Sequence, residues 1–123
     1  VTIAKRNNSN TPTMALATLG NEVFHESAQA LAKRILSDKS YNNDKDRIKC
    51  SFILCVARDP SSEEINKIIQ LLQKSRSYYL ANPEEAKKMV GAYSCAMIND
   101  NETASWITVT RILLNLDETI NRE

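Results

Sequence analysis

Apolar residues along this chain recur three and four positions apart, the period of a helix packed on one side, rather than at the two-residue alternation of a half-buried strand. Thr11-Pro12 reads as a cap with proline in the first turn, and it predicts a short helix through Leu19 with Gly20 as its stop. A longer helix follows from Asn21 or Glu22 to about Asp38. Its stripe is Phe24, Ala28, Leu31 and Ile35, and Glu22, Glu26, Gln29 and Lys33 fall on its wetter side.

Lys39 to Asn43 is a polar loop, and Asp44 is the expected cap of the next helix, which runs to about Ala57. Ile48 and the run Phe52 to Ala57 make that helix apolar nearly all round, so it is expected at the centre of the fold. Asp59-Pro60 ends it. Ser61 and Glu64 then match a capping box, opening a helix with Ile65, Ile68, Ile69, Leu72 and Tyr79 at core spacings. Asn82-Pro83 repeats the cap-plus-proline signal for a short helix to Val90, closed by Gly91. After the polar stretch Asn99 to Asn101, a last helix to about Leu116 carries Trp106, Val109, Leu113 and Leu116.

The reading is an all-α single compact domain of five to six helices, an orthogonal or antiparallel bundle. Residues 1–10 are expected to be a polar segment of a protein cut from a longer one, and 11–123 the helical domain. A length of 123 residues suits one such core.

Charge changes this picture little but excludes much. Sixteen Lys and Arg against fifteen Asp and Glu give a net charge of +1, too balanced for a basic nucleic-acid surface. Two glycines, Gly20 and Gly91, argue against a turn-rich β fold and against a glycine-cradled phosphate site. No apolar stretch reaches the roughly 18 residues of a membrane span. The first ten residues carry no apolar leader core.

Candidate chemistry is sparse. Cys50, Cys55 and Cys95 lack the Cys-x-x-Cys spacing of a zinc site and are read as buried thiols, with a bridge to Cys95 left open. There is no Cys-x-x-Cys-His, so this chain attaches no c-type haem itself. Glu22 and His25 form a Glu-x-x-His half-motif, but a di-iron bundle needs a second copy and His25 is the one histidine, so a solvated helix face is expected. No Gly-x-Ser-x-Gly elbow is present. The pairs Glu63-Glu64 and Glu84-Glu85 begin helices, where the macrodipole accounts for them. No catalytic, cofactor-binding or metal-ligating residue is assigned.

Four residues are singled out for interaction. Arg58 is expected to cap a helix C-terminus, with carboxylate or sulfate binding as the alternative. Trp106 is read as a core or domain-junction residue, or as an anchor for a partner or sugar ring. Tyr78 and Tyr79 with Arg76 form an aromatic-basic cluster, although the net charge gives no support for RNA binding. Asn7-Asn8-Ser9 and Asn101-Glu102-Thr103 match the glycosylation pattern.

Three stretches together, Asn10 to Leu19, Ala57 to Glu64 and Ser105 to Glu118, resemble the C-terminal domain of unknown function in planctomycete cytochrome-c-like proteins. The similarity covers about Arg6 to Ile120. This chain departs from the family's usual residues at Met14 (Gln), Gly20-Asn21 (Asn-Asp), Ala57 (Gly) and Thr119 (an aromatic). The resemblance implies a long exported bacterial protein, periplasmic or at the cell surface, with a haem-binding region elsewhere in the polypeptide and no established active site here.

Three functions follow as expectations. The first is a non-catalytic structural or interaction module that packs against upstream domains of the same polypeptide, with homodimerisation through an uncovered apolar patch as a further outcome. The second is part of a glycan-acting site completed by upstream domains, which requires two convergent carboxylates. The third is a docking surface for the haem region.

Overall fold

The computed structural model describes residues 21–121, and side chains are described from 23 to 116. The expected helix from Thr11 to Leu19 and the Asn7 glycosylation pattern lie outside the described residues. Five helices follow in order: α1 (Asn21–Ser37), α2 (Asp44–Val56), α3 (Ser62–Ala81), α4 (Pro83–Val90) and α5 (Asp100–Asn121). The fold is all-α, as the periodicity predicts.

The helix borders follow local chemistry. Asn43, one residue before the expected Asp44, caps α2: its Oδ1 accepts from the Asp46 amide at 2.8 Å. That leaves Asp44 and Asp46 in the first turn, where negative charge meets the positive end of the helix dipole. Ala57 closes α2 in the left-handed conformation, φ 66°, with its amide donating to the Ile53 carbonyl at 3.0 Å. At α3 the capping box forms in full: the Glu64 amide donates to Ser61 Oγ and the Ser61 amide to Glu64 Oε1. Asn82 does not cap α4 with its side chain. Its Nδ2 turns back to donate to the Tyr78 carbonyl at 2.8 Å, so it serves the end of α3 instead. Asn99 caps α5 through the Glu102 amide at 2.8 Å.

The central helix is α5, which packs against all four others, and not α2 as the apolar run suggests. In α2, Ile48, Phe52, Cys55 and Val56 are buried, while Ile53 and Leu54 face outward. In α5, Thr103, Ala104, Ser105, Trp106, Ile107, Val109, Thr110 and Leu113 are all buried. Its hydroxyls cost little to bury because each returns to a backbone carbonyl: Thr103 to Asn99, Ser105 to Asn101, Thr110 to Ile107. The Thr110 hydroxyl also lies 2.9 Å from the Ala28 carbonyl of α1, a close approach that Ala28 and Ala32 permit. Leu116, expected in the core, stands partly exposed.

The buried face of α1 is Ala28, Ala32, Ile35 and Leu36, rotated from the expected stripe so that Phe24 and Leu31 lie at its margin. The rotation carries Gln29 into the interior, where it is 7% exposed, against the expectation of a wet position. A polar partner explains this: Gln29 Nε2 donates to the carbonyls of Met89 and Val90 at 2.9 and 3.0 Å. These are the last carbonyls of α4, which α4 cannot satisfy itself.

Cys55 and Cys95 are buried and Cys50 is half-buried, and no disulfide joins the three. No described helix is long and apolar enough to cross a membrane.

Candidate functional site

Asp44, Arg76 and Glu102 begin far apart in sequence and meet where α2, α3 and α5 converge. Arg76 donates to both Asp44 oxygens at 2.9 and 3.0 Å and to both Glu102 oxygens at 2.8 and 2.5 Å. Glu102 also accepts from the Trp106 indole at 3.0 Å. The planar guanidinium suits this double fork, since it presents its donors on two edges. The Arg76 guanidinium holds the Asp44 carboxyl below its ordinary value, and the two carboxylates raise that of Arg76. Arg76 is therefore a joint between helices and does not form an aromatic-basic cluster with the tyrosines.

Arg58 takes a different place from the one its position after α2 implies. It forms a fork with Glu64 at 2.9 and 2.7 Å, donates to the Asp59 carbonyl, and lies 5.1 Å over the Phe52 ring. Its partners are thus the start of α3 and the connecting turn, not the last carbonyls of α2. The Arg58 guanidinium and the Ser61 amide together hold the Glu64 carboxyl down to about 2.

Trp106 is fully buried among the helices. It presents no face to a partner, and its indole is used by Glu102. Thr103 of the second glycosylation pattern is also fully buried and bonded to Asn99.

A separate group of polar side chains lines a shallow groove of about 360 Å³. Tyr78 and Tyr79 of α3 form one wall, with ring centroids 5.2 Å apart and edge-to-face at 79°. Tyr79 is buried and its hydroxyl pairs with Thr108 at 3.1 Å, whereas Tyr78 is 52% exposed. Met89, Glu85 and Lys88 enter from α4, His25 from α1 and Arg111 from α5. Glu85 and Lys88 pair at 3.5 Å.

His25 is half-buried here and not on a solvated face. Its Nε2 lies 3.2 Å from the Met89 carbonyl, so the neutral ring with hydrogen on Nε2 completes the cap of α4 beside Gln29. Its Nδ1 is buried with no hydrogen-bond partner among the described residues. Burial first, and the Arg111 charge second, push the imidazole below its ordinary value and favour that neutral form.

The groove was missed by sequence reasoning because its residues come from four helices. Tyr78 and Tyr79 stand out in the sequence, but no spacing ties them to His25, Met89 or Arg111. The groove brings a single carboxylate, Glu85, into the site and not the convergent pair that glycoside hydrolysis requires. Among the described residues no group of three or more His, Cys, Asp or Glu is placed to hold a metal ion.

No curated protein and no solved structure matches the chain. Residues 1–72 match PSD1, described as a protein of unknown function (DUF1553). The match takes in the stretches Asn10 to Leu19 and Ala57 to Glu64 and ends within α3, before Ser105 to Glu118. It covers more than half of the sequence, and the chain belongs to the PSD1 family of proteins of unknown function.

Proposed function

We propose that this chain is a non-catalytic helical interaction module that packs against other domains of a larger exported polypeptide. The observation that carries the reading is the use made of its polar side chains. Arg76 with Asp44 and Glu102, Arg58 with Glu64, and His25 and Gln29 with the end of α4 all serve as joints between elements. Side chains committed to such contacts are poorly placed to bind or transform a substrate.

The surface offers a contact of another kind. Ile112 and Leu116 stand four residues apart on α5, each 40% exposed, which aligns them on one stripe of that helix. The resemblance to planctomycete cytochrome-c-like proteins supports a periplasmic or cell-surface setting and upstream domains, one of them haem-binding, as the partners.

The test is to mix this chain with the separately expressed remainder of its polypeptide at low micromolar concentration and follow both by size-exclusion chromatography. Co-elution as a one-to-one complex is expected. Independent elution of two monodisperse species would refute the reading.

A further inference from the structure

Arg111 has no hydrogen bond or ion pair to any described residue, although it is half-buried in the groove. Its neighbours do not neutralise it. Lys88 already holds Glu85, so that pair sums to zero, and burial of the His25 ring favours its uncharged form. Among the described residues, the groove is left with one uncompensated positive charge. Its walls are apolar in part: the exposed ring of Tyr78, set in place edge-on by Tyr79, and the side chain of Met89.

We propose that this groove binds a small ring-bearing monocarboxylate, with Arg111 as the counter-ion of the carboxylate and Tyr78 and Met89 against the ring. A guanidinium takes a carboxylate through two parallel hydrogen bonds. The charge balance of the described residues favours a monoanion over a phosphate dianion, which would meet the Glu85 carboxylate with no second free cation among them. About 360 Å³ lies at the small end of ligand sites and suits one ring rather than a polymer. The inference is independent of whether the chain docks to further domains.

His25 is the one histidine in the chain and touches the groove, so its ring resonances report occupancy directly. The 123-residue chain is titrated at constant ionic strength with benzoate and with glucuronate, and separately with their uncharged counterparts benzamide and glucose. At least one of the acids is expected to shift the His25 resonances saturably in the millimolar range. The bound carboxylate offsets Arg111 and should move the imidazole titration to higher pH. Benzoate alone would mark the ligand as an aromatic acid and glucuronate alone as a sugar acid.

The neutral compounds and the Arg111→Gln variant should bind about ten- to a hundredfold more weakly. Tyr78→Ala, at an exposed position, should weaken binding while leaving the thermal transition in place, and it stands in if Arg111→Gln does not fold. No saturable shift with either acid, equal binding of the uncharged compounds, or unchanged binding by both variants would overturn the proposal.

Discussion

Arg76 of α3 and Glu102 in the first turn of α5 meet through two hydrogen bonds, and the same carboxylate accepts from the buried indole of Trp106 four residues on. One fork thus orients the entry of the central helix against α3, while the other edge of the guanidinium holds Asp44 at the start of α2.

Arg76→Met should therefore destabilise the fold by about 2 kcal/mol. That is less than the loss of a partner from a fully buried pair, because 25–37% of each side chain still reaches water. Arg76→Lys should recover only part of the loss, since an ammonium cannot reproduce two forks. Urea unfolding of the three proteins checks both expectations.

Gln29→Ala removes the Nε2 donor that the Met89 and Val90 carbonyls share, leaving them His25 Nε2 and the Tyr93 amide. The cost should be about 1–3 kcal/mol, two hydrogen bonds at about 0.5–1.5 kcal/mol each. Loss should concentrate in α4, because an isolated helix of eight residues does not hold itself. Amide exchange of Glu85 to Val90 should accelerate more than that of α5.

Ala57 adopts φ 66° at the end of α2, a conformation that strains an L-residue and suits glycine. Ala57→Gly should stabilise the protein by about 0.5–1 kcal/mol, read as a higher urea midpoint at unchanged slope. Gly91→Ala should act in the opposite direction, since Gly91 has φ 57° and an added Cβ would lie 3.1 Å from Gln29 Nε2.

The folded state lowers the His25 titration, so the unfolded chain takes up that proton first as pH falls. The contribution of neutral His25 is complete above its ordinary value of 6.5, is lost as pH drops below it, and levels off beneath the folded value. Arg111 is the cation that adds to this effect, while the Glu85–Lys88 pair at the groove is neutral overall. Arg111→Gln should narrow the pH range of the loss, measured as urea midpoints between pH 7 and 5.

Much of the fold was legible because helix borders are local events. Ser61 with Glu64, and Pro83 with Gly91, state their borders within a few residues. The identity of the central helix was not legible, because Thr103, Ser105 and Thr110 read as polar until their hydroxyls return to backbone carbonyls. Gln29 likewise becomes an interior residue only because α4 ends beside it. Arg76, Asp44 and Glu102 carry no spacing signal, and the groove needs the packing of four helices before Arg111 and His25 share it.

On the proposed reading the chain works through its surface and uses its polar side chains as joints. The deciding measurement is the affinity of the chain for the proposed upstream domains, compared between the native protein and an Ile112→Ser, Leu116→Ser variant. Both positions are partly exposed, so the variant should keep its helical signal and melting transition while its affinity falls at least tenfold, about 1.4 kcal/mol. Equal affinities for the two proteins, or no association by either, would contradict the account.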